Sequence, residues 1–266
     1  VKLKKVYESS LNKLFAFKTE DDYQIESVFY RGDTLCVSTQ VGCPVRCIFC
    51  ASGKKGLLRN LSSEEIFQQY NLLKGTLPIR GIAIAGIGEP AVNSENVIKA
   101  INKFKSEGLR VTISTTGYPI SGFKKLLDSN HDGITISIHA LDEEKRKKLF
   151  KLHEPINEII NVLSKKLSTV SKRKRKRFQL GYLLLKEINN DYENLSKLRE
   201  LASNLNLTVM LMMYNEVDEI PVKSISNQEY EEAFKFLREK NIRVTLSNRF
   251  RTDPLGGCGT LTIARD

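Results

Sequence analysis

Cys43-Pro44-Val45-Arg46-Cys47-Ile48-Phe49-Cys50 sets three thiols on one short loop with the spacing C-x3-C-x2-C. Soft sulfur ligands select iron–sulfur clusters or zinc over hard cations. Three thiolates on a tight loop suit a cubane [4Fe–4S] cluster and leave one iron without a protein ligand. A structural zinc site is the competing reading. It closes at four ligands, so it would need His131, His139, His153 or a distant cysteine. No second C-x2-C pair occurs in the chain. The two other cysteines, Cys36 and Cys258, stand just before the loop and almost at the C-terminus. An odd cysteine count argues against a disulfide framework.

Outward from the loop, the pattern changes from short strands to strands alternating with helices. Before it, residues 23–30 are rich in β-branched and aromatic residues, Arg31-Gly32-Asp33 predicts a turn, and Thr34-Leu35-Cys36-Val37 a strand. After it, Ser62 is placed to cap a helix that starts at Ser63-Glu64-Glu65. Strands are predicted at 81–85, 109–114, 133–138, 178–185, 207–213 and 242–246. Helices are predicted at 93–105, 121–127, 142 onward, 192–205 and 227–239. This alternation implies a parallel sheet with right-handed crossovers. About six βα units are too few to close an eight-fold barrel. The expected fold is therefore α/β, a partial (β/α)6 barrel over 38–266 preceded by a short β extension over 1–37.

The bulk numbers set the class. The chain has 266 residues, 41% of them hydrophobic, which is enough for a sizeable core. No apolar run approaches the ~20 residues of a membrane span, and Val1-Lys2-Leu3-Lys4-Lys5 has no apolar stretch after it of the secretory kind. A soluble cytoplasmic protein is expected, with no membrane partner. The net charge of +11 favours a polyanionic partner. Residues 172–177, Lys-Arg-Lys-Arg-Lys-Arg, read either as a solvated connection or as a phosphate-contacting patch.

The cysteine loop, with Phe49 before its last cysteine, resembles the radical S-adenosylmethionine (SAM) superfamily. So does Gly86-Ile87-Gly88-Glu89-Pro90 after a buried strand. The resemblance implies that SAM binds the open iron, and that its cleavage yields a 5′-deoxyadenosyl radical. Gly88 and Glu89 then hold the SAM ammonium. Ser114, Ser137, Ile138 and His139 stand at strand ends, where a barrel contacts its ligands.

A closer resemblance is carried by 34–43, by 49–61, by Asn93, by Ser114-Thr115-Thr116-Gly117, by Ser137-Ile138-His139-Ala140 and by Gly257-Cys258-Gly259. These segments are similar to the RlmN/Cfr family of radical SAM RNA adenine methyltransferases. The resemblance implies a two-cysteine mechanism. Cys258 takes a methyl group from a first SAM, the radical made from a second activates it, and the carbon joins C2 or C8 of adenine. Cys36 then frees the product by forming a disulfide. Glu26 matches the family's base and Asn215 a SAM contact. RNA, rRNA or tRNA, is the implied substrate, with flavodoxin or ferredoxin as reductant.

Several departures concern the substrate. Family members carry an N-terminal helical accessory domain, and this sequence starts after it. The tail from Arg249-Phe250-Arg251 to Thr260 lacks the family's acidic stretch, and Gly181 stands where the family has an acid. Two other readings stay open at this point: a radical methylase of a small molecule or peptide using the same thiol chemistry, and a non-catalytic metal-containing RNA-binding protein.

Overall fold

A computed structural model describes residues 1–239, 241–247 and 251–265. Arg249 and Phe250, quoted above from the tail, lie outside them. The chain opens as an antiparallel meander of β1 (Lys2–Glu8), β2 (Lys13–Lys18) and β3 (Gln24–Tyr30), followed by β4 (Thr34–Val37). Next come a hairpin of β5 (Gln40–Gly42) and β6 (Leu57–Asn60), then α1 (Ser63–Asn71) and β7 (Gly81–Ile84). The alternation continues with α2 (Ser94–Ser106), β8 (Arg110–Thr115), α3 (Ile120–Asp128) and β9 (Gly133–Ser137). Three helices follow, α4 (Glu143–Leu149), α5 (Ile156–Thr169) and the single turn α6 (Lys172–Arg175). Then come β10 (Phe178–Leu184), α7 (Tyr192–Leu205), β11 (Thr208–Met213), α8 (Asn227–Arg238) and β12 (Val244–Leu246).

One ten-stranded sheet runs β1-β2-β3-β4-β7-β8-β9-β10-β11-β12. Pairing is antiparallel up to β4 and parallel from β4 onward. Strands β7 to β12 are the six predicted for the partial barrel, and β4, predicted in the extension 1–37, pairs in parallel with β7 beside them. The sheet is continuous across position 37, because β4 pairs with both β3 and β7.

The two faces of the parallel strands differ, and that difference makes room for a site. Ile82, Ile84, Val111, Ile113, Ile134 and Ile136 are buried outward, under the helices. The alternate positions Ala83, Thr112, Ser114 and Thr135 are small or hydroxylic and face inward. Helix α1 begins with a full capping box between Ser62 and Glu65. Helix α2 packs Val97, Ala100, Ile101 and Phe104 on one stripe, the helical period of an amphipathic element.

The structure corrects the expectations at three places. The predicted helix from 142 onward breaks after α4, because residues 150–155 turn and end in Pro155 at the N-cap of α5. The basic run is not a bare connection, since its first four residues form α6 with Ser171 as cap. The β5–β6 hairpin, too short for a period-2 signal, was not anticipated. No helix among the described residues is long and apolar enough to cross a membrane.

Candidate active site

The cysteine loop is an excursion between the two strands of the β5–β6 hairpin. Gly42 starts it with φ +78°, and a Cβ there would lie 1.9 Å from the Gly56 carbonyl oxygen, so only glycine lets the stalk close. The Cys43 N–H donates to that same oxygen at 3.0 Å. Farther along, the Ile48 N–H donates to Leu149 O and the Lys151 N–H to Val45 O, which seats the loop on α4. Phe49 lies edge-on to His139, Phe150 and Tyr214, with centroids 5.4, 6.2 and 6.4 Å away.

Cys43, Cys47 and Cys50 all line one cavity of about 170 Å³. Burial pushes the Cys43 thiol up to about 12 and the Cys47 and Cys50 thiols upward as well. Neighbouring sulfurs add to the effect at Cys43 and Cys47. Such thiols shed their protons only to a strong Lewis acid, as metal coordination supplies. Among the described residues, no three His, Cys, Asp or Glu side chains are grouped as a single metal ion requires. A zinc ion draws its sulfurs to ~2.3 Å of one point. A cubane instead takes each thiolate on a different iron, so three separated thiols around one cavity fit a cluster.

The rest of that cavity is built from strand ends. It is lined by Gly88, Glu89, Ser114, Ser137 and His139, and also by Thr115, Thr116, Met212, Arg251 and Cys258. Gly88 has φ +115°, and a Cβ there would strike Thr39 and Gln40. Glu89 is buried, and burial pushes its carboxyl upward. Its oxygens accept from the Thr115 hydroxyl, from the Thr116 N–H at 2.9 Å and hydroxyl at 2.8 Å, and from the Ala91 N–H at 3.1 Å. These four bonds fill the acceptor capacity of a carboxylate. Glu89 therefore fastens the β7 turn to the end of β8 at the wall of the cavity. The Ser114 and Ser137 hydroxyls border the cavity, open to a ligand. His139 is buried with φ +48°, and its Nδ1 accepts from the Leu183 N–H at 3.1 Å. Burial, then the Arg146 charge, pulls it down to about 3, so the ring is neutral. Ile138 does not line the cavity. Its side chain is buried in the core, and its carbonyl accepts from Arg146.

A second cavity, of about 90 Å³, brings Cys36 and Cys258 together. Cys50, Tyr30 and Arg251 also line it. Cys36 enters from β4. Cys258 enters from the C-terminal tail, which lies across the cluster loop through Ala51 N–H to Gly259 O (2.9 Å) and Ser52 Oγ to Leu261 O (2.7 Å). The Arg251 guanidinium stands 3.8 Å from Cys258 Sγ, and its carbonyl accepts from the Cys258 N–H at 3.1 Å. Burial opposes the charge of Arg251, but Cys258, Tyr30 and Cys36 more than offset it. Burial, then the Cys258 sulfur, raises the Cys36 thiol to about 12.

Two residues expected at the site occupy other positions. Asn215 donates through Nδ2 to the carbonyls of Arg251 and Cys258, so it grips the tail. Glu26 is fully buried on β3, where it accepts from Arg265 Nε at 2.6 Å and the Thr262 N–H at 2.9 Å. Burial pushes its carboxyl upward, and Arg265 opposes this. Arg251, the pair Thr115 and Thr116, and Met212 were not singled out from the sequence. A cation seven residues before Cys258 is the one signal that could have pointed to Arg251.

The matches to known proteins follow the same lines. The family model of the Radical SAM superfamily matches residues 37–191. A probable dual-specificity RNA methyltransferase RlmN from Pseudothermotoga lettingae is 37% identical over 89% of this chain and 70% of its own length. Its counterpart in Clostridium botulinum (strain Eklund 17B) is 33% identical over 97% and 78%. The crystal structure of a radical SAM methyltransferase from Sphaerobacter thermophilus superposes with a TM-score of 0.88 at 26% identity, covering 98% of this chain and 81% of that one. Streptococcus suis SuiB bound to S-adenosylmethionine shares the fold at 14% identity and a TM-score of 0.64.

Proposed function

This chain belongs to the radical SAM superfamily and, within it, to the RlmN family, and from that premise we propose that it methylates an sp2 carbon of adenosine, C2 or C8, in rRNA or tRNA. The single observation that carries the reading is the meeting of Cys36 and Cys258 in one cavity with Cys50 of the cluster loop. An adenine amidine carbon is electrophilic and takes no methyl group from a sulfonium by displacement. A thiolate does so readily.

Cys43, Cys47 and Cys50 would hold a [4Fe–4S] cluster, and Glu89, Ser114, Ser137 and His139 would border the bound SAM. When bound, cluster and SAM supply the one-electron cleavage that activates a methyl group. The chain's own part begins at Cys258. Its thiolate attacks the SAM methyl carbon, an S–C bond forms, and the sulfonium S–C bond breaks to leave S-adenosylhomocysteine. Arg251 lies against that sulfur. Once the carbon has replaced the ring hydrogen of adenine, whose proton a base takes and whose remaining electron would return to the bound cluster, Cys36 attacks the Cys258 sulfur. A Cys36–Cys258 disulfide forms, the electron pair of the broken S–C bond goes to the carbon, and a proton completes the methyl group. A dithiol then re-reduces the disulfide, and a flavodoxin- or ferredoxin-type donor serves the cluster. Asn215 holds the tail in reach. Glu26 anchors it through Arg265, and its service as the base for the adenine proton requires Arg265 to move aside. The chemistry thus lies within 38–266, with Cys36 reaching in from the extension 1–37.

The test uses Cys36→Ala protein produced in cells. Lacking the resolving thiol, it should carry a covalently attached nucleotide at Cys258, seen by mass spectrometry of the intact protein and of the Cys258 peptide. Cys36→Ala/Cys258→Ala should carry none. Nucleoside mass spectrometry of RNA from cells with and without the gene should show one methyladenosine lost. An unmodified Cys258 and unchanged nucleosides would refute the reading.

A further inference from the structure

The two ends of the barrel differ in charge. At the C-terminal ends of the strands, carboxylates and cations are mixed and paired: Glu144 with Lys147, Asp191 with Lys145, Glu216 with Lys223 and Glu219 with Lys54. At the N-terminal ends, the strands begin on arginine. Arg80 precedes β7, Arg110 opens β8, Arg177 precedes β10 and Arg243 precedes β12, while Arg31 sits in the turn before β4. All five are exposed. The carboxylates at this edge are each paired: Asp33 with Arg110, Asp132 with Lys105, Glu107 with Lys74, Asp128 with Lys166 and Glu239 with Arg199. Beside them Lys172, Arg175, Lys176 and Arg243 line a surface recess of about 260 Å³.

A lumen of about 300 Å³ opens at this edge. Its mouth is formed by Arg31, Thr34, Gly81 and Arg110, and its walls by Thr112, Ser114, Thr135 and Gln179. It adjoins the cavity of Cys36 and Cys258, with Tyr30, Ala85 and Arg251 lining both. Cys36 is in register with Ala83, two residues above Gly81, so it lies roughly 7 Å inside the mouth at ~3.3 Å per residue. No carboxylate lines the lumen among the described residues. At the other end, the tail lies over the cluster loop, and the cavity there is the one fitted to SAM.

We propose that RNA docks on the N-terminal face of the barrel, with its phosphates on the arginine rim, and that the target nucleotide enters the lumen from that side to reach Cys36 and Cys258. The inference rests on the RNA reading above and adds the direction of entry. Paired charges of both signs give the C-terminal face little net pull on a polyanion, while a cationic rim attracts it to the other. A base inside a stack is out of reach of chemistry, so it must be turned out into a pocket. Hydroxyl- and amide-lined walls with an aromatic where the two cavities adjoin suit an unstacked base.

The test compares two sets of four exposed cations in the full chain. One is Arg31→Gln/Arg80→Gln/Arg110→Gln/Arg243→Gln on the rim. The other is Lys147→Gln/Lys148→Gln/Lys186→Gln/Lys223→Gln on the opposite face. The probe is a fluorescein-labelled RNA hairpin with adenosine in its loop, followed by anisotropy over a salt series. The rim set should weaken binding at least about tenfold. It should also flatten the log–log salt slope by about 3, at ~0.7 per single-strand phosphate contact. The control set should change neither. Each rim residue changed singly should give its share of the slope, so a quadruple variant that fails to fold does not block the answer. Equal effects from the two sets, a larger effect from the control set, or no binding by the unaltered chain would overturn the entry face. A rim effect without any nucleotide adduct on Cys36→Ala protein would keep the face and refute the chemistry. An adduct with unaltered binding after the rim changes would do the reverse.

Discussion

The cluster-loop thiols and the thiol pair are held by different means. Cys43, Cys47 and Cys50 ride on one hairpin whose stalk is closed at Gly42 and whose tip is packed on Phe150 and Leu149. Cys36 and Cys258 depend on two separate pieces of chain: a strand in the middle of the sheet, and a tail gripped by Asn215, Ser52 and Glu26. The trio shares one short loop, seated on α4 and Phe150. The pair exists only while the tail is docked. The chemistry proposed above would use that division, because a cluster ligand must stay still while a transfer thiol must form and release bonds.

The largest effect expected from breaking this comparison is at the trio. Cys43→Ala/Cys47→Ala/Cys50→Ala should lose bound iron and visible absorption completely and abolish SAM cleavage, while circular dichroism of the barrel is kept. Iron retained by that variant would place the cluster elsewhere. Next in size is the thiol of the pair that lies in the sheet. With the Cys36 thiol raised to about 12 against an ordinary value near 9, its thiolate fraction at pH 8 is on the order of a thousandfold lower than that of a free cysteine. Site-resolved alkylation by iodoacetamide in the metal-free protein should run slower by that order. Alkylation at the free-thiol rate would show the tail undocked.

A smaller effect separates the loop's packing from the pair's. His139, beneath Phe49, is neutral when folded, with its pKa pulled from 6.5 to about 3. The unfolded chain binds the proton first, so stability is full above about pH 6.5 and falls as pH drops toward 3. Between pH 6.5 and 5 the loss should reach about 2 kcal/mol, at ~1.4 kcal/mol per unit. His139→Phe should remove most of that slope in urea unfolding, and an unchanged slope would assign it to other groups. The smallest effect is at the seam between trio and pair. Ser52→Ala deletes one hydrogen bond to Leu261 O, worth about 1 kcal/mol. The Ala51 amide, which donates to Gly259 O, should then exchange its hydrogen about fivefold faster. No change would mean the tail is held elsewhere.

Read as letters, 43–50 carries the proposed cluster site whole, because a cluster held by one loop would write its ligands at fixed short spacing. The alternation of strand and helix after residue 61 specified the partial barrel for the same reason, since periodicity and capping are local. Ser62 with Glu65 shows this directly. The pairing of Cys36 with Cys258 came from family resemblance, and tertiary structure brings both to one cavity by carrying the tail back beside β4. What the letters of Glu26 and Asn215 did not contain was their partners. Each is a polar residue on a strand or just after one, and its role is set by the tail atoms it meets, Arg265 and Thr262 for one, the carbonyls of Arg251 and Cys258 for the other. The arginines at 31, 80, 110, 177 and 243 are scattered in the chain and read singly as surface charge. Only the parallel sheet, which aligns the start of every strand along one edge, gathers them into a rim. Sequence by itself determined the features written at short range, the cluster loop and the order of elements. Tertiary structure decided which distant side chains share a cavity, because that depends on where the folded backbone returns to itself.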